Sequence, residues 1–338
     1  MNSIGYKSLI YLSGSSFSSE PLSLSSNERL IKCKDFSFNQ KQSIDQSSQI
    51  DNRYANSVYH MNPHTFEGSF SGPALYDNLL RYLWRASLRR VNKPSMSYLY
   101  HNLDFYSKHG TENSIFFHSG GSIDNFSLSV KNKEALEYSA DLKFYDRSNP
   151  TSFSSSNNKT SRNSRAVSWS DIDFSVNLNN GISISSSSVS EFKIDIKNNL
   201  KNYYGANRNN NDDILKPIHI SSQKREISGN IVFYDRVYQL TQQSINNKLN
   251  CGGSSDIRMV INPTEDNLPN WEDGSPNGQR ECLNLLSACI PGIVFEIEEI
   301  SNTAEDLIKT SVNFTSISGA NANYGDVPSS FSPNYFEF

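Results

Sequence analysis

Apolar and polar residues alternate through several stretches of this chain. In Phe126-Ser-Leu-Ser-Val130, Leu136-x-Tyr-x-Ala-x-Leu-x-Phe144, Ile172-x-Phe-x-Val-x-Leu178, Phe192-x-Ile-x-Ile196, Ile227-x-Gly-x-Ile-x-Phe233 and Val312-x-Phe314, every second position is apolar or glycine. A period of two predicts strands with one buried face. Helical spacing occurs twice. Leu75, Leu79 and Leu83 form one i, i+4 row and Tyr76, Leu80 and Trp84 the next, with Pro73 ahead as a helix start. A second, rougher stripe joins Val237, Leu240, Ile245 and Leu249.

The runs recur in order. Asp35-Phe-Ser-Phe38 matches Glu191-Phe-Lys-Ile194, and Phe66-Glu-Gly-Ser-Phe70 matches Ile227-Ser-Gly-Asn-Ile231, each of the latter pair leading into a helical stretch. Downstream, Gly121 and Gly292 each open a long two-strand hairpin that closes at Phe144 and Phe314. Four landmarks in one order predict a tandem duplication. The expected fold is mainly β, with two tandem antiparallel β-sandwich or barrel units, each with a flanking α-helix. The first unit would span 1–160, including a Ser/Asn-rich N-terminus and a linker, and the second 161–320, followed by a C-terminal tail over 321–338. Polar stretches at Ser13–Ser26, Ser148–Ser164 and Asn207–Asp213 punctuate the chain, and the middle one is the linker candidate.

Composition supports β-structure. The 338 residues include 58 Ser and 40 Asn, which favour turns and strand faces over helix interiors. The 17 Tyr, 19 Phe and 3 Trp supply the apolar surface that disordered chains lack. A net charge of -4 argues against a nucleic-acid-binding chain. That average hides an asymmetry: residues 1–166 carry 19 Lys and Arg against 14 Asp and Glu, and residues 167–338 carry 12 against 21. The two halves would attract each other's surfaces. The apolar run Leu9–Leu12 is too short for a signal peptide or a membrane span, so a soluble chain made inside a cell is expected. Cys33, Cys251, Cys282 and Cys289 form no CxxC pair and read as reduced thiols.

Candidate chemistry is sparse. His60 and His64 have i, i+4 spacing, but Pro63 lies between them and no glutamate follows His60, so a zinc site is not expected. Asp266–Glu281 holds calcium-loop residue types without their ordered spacing and reads as a solvated loop. There is no GxSxG elbow, GxGxxG turn or phosphate loop, and no catalytic residue, metal or cofactor is expected. Glu296 and Glu298 alternate with Phe295 and Ile297, as on the wet face of a strand. Arg81, Arg85 and Arg89 form a basic helical row, which is a solvated face in isolation and a subunit contact if the chain assembles.

This order resembles the tail tube, or major tail, proteins of long-tailed bacteriophages. The resemblance rests on Gly68-Ser-Phe-Ser with the helix after it, on Gly120-Gly-Ser-Ile-Asp-Asn-Phe-Ser-Leu-Ser-Val130 followed by Leu136 to Arg147, on Arg225-Glu-Ile-Ser-Gly-Asn-Ile-Val-Phe-Tyr234, and on Pro291-Gly-Ile-Val-Phe295 with a closing strand through Phe314. It covers most of residues 60–317. The Ser/Asn-rich N-terminus, the 148–166 linker and the loop at about 262–288 depart from the pattern. The resemblance implies a non-enzymatic virion structural protein whose inner sheet joins those of its neighbours around a lumen, in rings stacked into a tube. Expected partners are further copies of itself (three tandem-fold chains per ring, with six chains as the alternative), a terminator, a baseplate or tip, a sheath in some tails, and viral DNA in transit, but no membrane. Assembly would take place in the host cytoplasm. Glu296 and Glu298 are then lumen-facing candidates, and Arg81, Arg85 and Arg89 are interface candidates. The rival reading is a carbohydrate-binding or adhesion β-sandwich of a virion or cell surface.

Overall fold

The computed structural model describes residues 9–12, 29–42, 44–48, 57–75, 78–88, 103–109, 114–149, 166–177, 183–205, 216–234, 256–261, 286–301 and 309–316. The chain begins with β1 (Leu9–Leu12), β2 (Arg29–Ile31), β3 (Asp35–Lys41), β4 (Ile44–Ser48), β5 (Ser57–Met61) and β6 (Thr65–Pro73). Helix α1 (Asn78–Leu88) precedes β7 (Leu103–His109), β8 (Ser114–Lys131), β9 (Glu137–Phe144) and β10 (Asp146–Ser148). Then follow β11 (Ile172–Asn177), β12 (Ser183–Ser185), β13 (Val189–Lys197), β14 (Leu200–Tyr204), β15 (Pro217–Ser222) and β16 (Glu226–Tyr234). The last are β17 (Asp256–Ile261), β18 (Leu286–Pro291), β19 (Ile293–Ser301) and β20 (Lys309–Ser316). The protein is mainly β, and its strand pairs are antiparallel.

The main layer runs β3-β6-β9-β8-β13-β16-β20-β19. Strand β8 is 18 residues long and serves two neighbourhoods. Its first half pairs with β7 and β10, and its second half pairs with β9 and β13. Gly120, with φ 65, lies between the two halves, and Gly292, with φ 64, lies between β18 and β19. Only glycine takes that backbone conformation without a steric cost. The sequence reading placed the first of these breaks one residue later, at Gly121.

Over the buried face of this layer lie β2-β1-β7-β8-β10, then β12-β11-β17-β18, and helix α1. Ring contacts tie the layers together: Phe38 and Phe70 on Phe105 at 5.8 and 5.6 Å, Trp84 edge-on to Phe126 at 6.2 Å, and Phe174 stacked on Phe192 at 4.8 Å. Strand β9 shows why period two makes this layer. Its Tyr138, Ala140, Leu142 and Phe144 are buried, while Glu137, Ser139 and Asp141 between them are exposed. Each large apolar side chain removed from water contributes about 1.5–3 kcal/mol.

Helix α1 starts later than its spacing suggests. Pro73 ends β6, the Ala74 N–H donates to the Leu136 carbonyl, and Leu75 bridges to Ala166. These extended backbone bonds hold the chain out of a helix through Leu75, and in the described helix, which runs from Asn78, Leu80, Leu83 and Trp84 are buried. The second helical stretch, at 237–249, lies outside the described residues. So do the stretch at 207–213, most of the 148–164 linker and most of the 262–288 loop.

The pairing pattern occurs twice along the chain. Strands β2-β1-β7-β8 are matched by β12-β11-β17-β18, and β3-β6-β9-β8 by β13-β16-β20-β19. Registers match as well: Phe38 faces Gly68, Gly68 faces Leu142 and Leu142 faces Ile123, while Ile194 faces Gly229, Gly229 faces Phe314 and Phe314 faces Phe295. The antiparallel pairs β4·β5 and β14·β15 occupy the same place in each series.

Candidate assembly interface

Three features of the main layer bear on function: an internal seam, two open edges and a polar face. The seam is β8·β13, which joins the two series. Phe192 stands opposite Val130, Ile194 opposite Leu128 and Ile196 opposite Phe126, and all six are buried. Just beyond the seam, fully buried Asn198 donates from its amide to the carbonyls of Ser87 and Ile123, at 2.8 and 2.9 Å. Its side-chain oxygen accepts from Arg225 Nε at 2.8 Å. Asp124 accepts from the Leu200 N–H at 2.7 Å and meets Lys143 Nζ at 3.1 Å, and Lys143 donates to the Leu200 carbonyl at 2.6 Å. Removing any one partner strands a poorly hydrated polar group, so the clasp fixes how the two series are joined.

Among the described residues, β3 pairs only with β6 and β19 only with β20, so both ends of the layer are edge strands. Each edge presents a row of backbone donors and acceptors, a template for another strand. On β3, Phe38 is buried, Phe36 is half-buried and Lys41 is exposed. Burial above all pushes the nearby Cys33 thiol above its ordinary range, and Asp35 adds to this against a lowering backbone hydrogen bond.

The face of the layer turned away from the core is polar. Ser127, Ser129, Ser139, Ser228, Asn230 and Asn313 lie on it, and Asn230 donates to both Ser311 and Asn313 at 2.9 Å. Its cations stand beside its anions, with Lys41 to Glu67 at 2.6 Å, Lys193 to Asp195 at 2.9 Å and Lys131 to Glu191 at 3.9 Å. Such exposed pairs add at most about 1 kcal/mol each to stability.

The structure places the sequence candidates as follows. Glu296 is exposed on β19, opposite Asn313. Glu298 falls at the register shift between Ile297 and Glu299, and its side chain is outside the described residues. Arg81 and Arg85 lie on α1 with side chains outside the described residues, and Arg89 lies outside them altogether. His64 Nδ1 is 3.2 Å from Gln40 Nε2, and the described residues contain no group of three or more metal-ligating side chains. Sequence reasoning did not find the clasp. Asn198 and Asp124 are single polar residues among many, and only the fold brings them to the seam. No described helix is long and apolar enough to cross a membrane.

No curated protein matches the chain. A family model described as phage tail tube protein matches residues 16–322. A match over nearly the whole chain, on a mainly β protein with open sheet edges, identifies a phage tail structural protein: the chain belongs to the phage tail tube protein family.

Proposed function

We propose that this protein is a tail tube subunit whose copies join edge to edge, β19 of one against β3 of the next, into closed rings that stack into the conduit for genome delivery. The observation that carries this reading is the repeated pairing order with an open strand at each end of the main layer. A head-to-tail interface of this kind forms rings when its rotation closes. The chain is then two tandem tube-like units, over 1–160 and 161–320, with 321–338 as a tail. Three such chains present six units per ring, and six chains per ring is the alternative.

In this arrangement the polar face lines the lumen, with Glu296 and Glu298 on it. A face of hydroxyls, amides and paired charges offers phosphates few free cations to bind, so DNA slides rather than sticks. The Arg81, Arg85 and Arg89 row of α1 faces neighbouring subunits. Other tail proteins (the terminator, the baseplate or tip, and a sheath in some tails) meet the ends or the outside of the tube. The protein has no catalytic role and works in the virion after assembly in the host cytoplasm.

Negative-stain electron microscopy of the purified protein over a range of concentration and salt tests the reading. The expected result is rings or tubes with a central hole and three chains per ring. Discrete globular particles under every condition would overturn it and favour the adhesion alternative, with a glycan-binding screen next.

A further inference from the structure

The internal seam and the open edges are made of corresponding strands, so the seam is a template for the contact between copies. We infer that β19 of one copy adds to β3 of the next in the register of the internal seam, with Lys41 opposite Glu296 and Phe38 opposite position 300. This rests on the edge-to-edge reading above and specifies the contact it leaves open.

The register follows from two chains of pairing. Phe38 faces Gly68 as Ile194 faces Gly229, so Phe38 corresponds to Ile194 and Lys41 to Lys197. On the other side, Asn125 faces Asp141 and Leu128 faces Tyr138, whereas Glu296 faces Asn313 and Ile300 faces Thr310. Asp141 precedes Leu142 as Asn313 precedes Phe314, and Leu142 and Phe314 correspond through Gly68 and Gly229. Glu296 therefore corresponds to Asn125 and position 300 to Leu128. Within the chain, Lys197 is opposite Asn125 and Ile194 is opposite Leu128. Carried to the edges, the same pairs become Lys41 with Glu296 and Phe38 with position 300.

The bulge in β19 makes this register selective. The extra residue lies between Ile297 and Glu299. Directly opposed residues of an antiparallel pair share a face, so a slip of one residue would set the buried side of β3 against the polar side of β19. To keep faces matched at both position 300 and Glu296, β3 must also pass over the residue at 298, and the bulge thus marks one register. Charge agrees with it, since the exposed Lys41 meets the exposed Glu296. Burial agrees too: Phe192 is buried beneath the seam, and its counterpart Phe36 on the open edge is half-buried.

The two contacts differ in strength. Asn198 and its buried hydrogen bonds belong to the internal seam, whereas its counterpart at the edge is Gln42, which is exposed. The seam within a chain forms once, during folding, and the contact between copies remains reversible.

Paired cysteines test the register on the full-length chain. Ser37→Cys with Ser301→Cys joins positions the register sets opposite each other, and Ser37→Cys with Glu299→Cys is a slip that keeps the same face. After mild oxidation of assembled protein, with the parent protein as baseline for the native thiols, the first pair is expected to give a ladder of covalent oligomers and the second little above baseline. Charge reversal is the second arm. Because Lys41 is also held by Glu67 within its own chain, the change is made on β19: Glu296→Lys should raise the concentration needed for assembly, by up to about fivefold, and Glu296→Gln should raise it less. Rings or tubes in which the slip pair cross-links best, or in which neither pair does, overturn the register and leave edge-to-edge assembly standing. A parent protein that never assembles overturns both.

Discussion

The two strand series share one pairing scheme and fill it differently. Around β3, β6 and β9 the core is aromatic, with Phe38, Phe66, Phe70 and Phe144 buried. At corresponding places in β13 and β16 stand Ile194, Ile227 and Ile231, and the aromatic bulk reappears as Phe314 and Phe295, where the first series has Leu142 and Ile123. Volume has moved between strands while each layer stayed filled. Cores tolerate such exchanges when total volume is kept and lose stability when it is not. The point common to both is a glycine in the central strand that makes room for a ring. A Cβ on Gly68 would lie 2.7 Å from the Phe38 ring and 2.8 Å from Phe144, and one on Gly229 would lie 2.5 Å from Phe314.

The largest effect separates these two glycines. At Gly229 the added carbon would also stand 2.0 Å from the Lys193 carbonyl oxygen, a backbone atom that no rotamer change can move. At Gly68 the obstacles are side chains. Gly68→Ala is expected to cost about 1–3 kcal/mol in denaturant unfolding and Gly229→Ala more, enough to deplete soluble protein. Equal costs would break the comparison.

Next is the seam, which has no equal at the open edge. Asn198→Ala removes the amide that donates to the carbonyls of Ser87 and Ile123 and the oxygen that accepts from Arg225 Nε, and about 2–3 kcal/mol of stability should be lost. Gln42→Ala, at the counterpart position, should cost under about 0.5 kcal/mol. Denaturation midpoints of both variants measure the gap.

A smaller effect tests volume exchange directly. Phe38→Ile makes the first series resemble the second and should cost about 1–3 kcal/mol. Adding Leu142→Phe returns a ring where the second series has Phe314 and should recover at least about 0.5 kcal/mol, read as the coupling in a double-mutant cycle. Purely additive costs would show that the two cores are not variants of one solution.

The smallest effect is at Cys33, whose counterpart is the buried Val189. Cys33→Val should change stability by less than about 1 kcal/mol. Because the Cys33 thiol is raised above its ordinary range, less of it is thiolate at pH 8 than for a free cysteine. Alkylation of its peptide, followed by mass spectrometry, should be slow at that pH and should speed up as pH rises toward the raised value. Fast labelling at pH 8 would place the thiol in water.

Much of this was legible because strands announce themselves by period. The alternating runs cited at the outset lie on strands, in β8, β9, β11, β13, β16 and β20, with Leu136 just ahead of β9 and Leu178 beyond the described residues. The run Leu9–Leu12, read only as too short for a membrane span, proved to be β1, with Ile10 and Leu12 fully buried. A short strand in the covering layer shows no alternation and cannot be told from any apolar patch. Strands such as β7 and β15 were missed because their polar residues interrupt the period. The helix start was misread because Pro73 suits a strand end as well as a first turn, and tertiary bonds from Leu136 and Ala166 decided between them. The open edges were not visible in any one residue. An edge is a property of pairing order, which a linear pattern reveals only through its repeats.

The length of β8 bears on how the protein is born. Half of this strand answers to β7 and β10 and half to β9 and β13, and β13 is translated well after β8. At about 5–20 residues per second, the ribosome leaves the far edge of β8 uncovered for some seconds. Phe126, Leu128 and Val130 wait through that interval for Phe192, Ile194 and Ile196. Nascent chains held close together on one message are then able to offer each other the wrong β13. A chain whose main layer ends in open strands must complete its private pairing first, and the slow arrival of its second half is the window in which mispairing competes with folding.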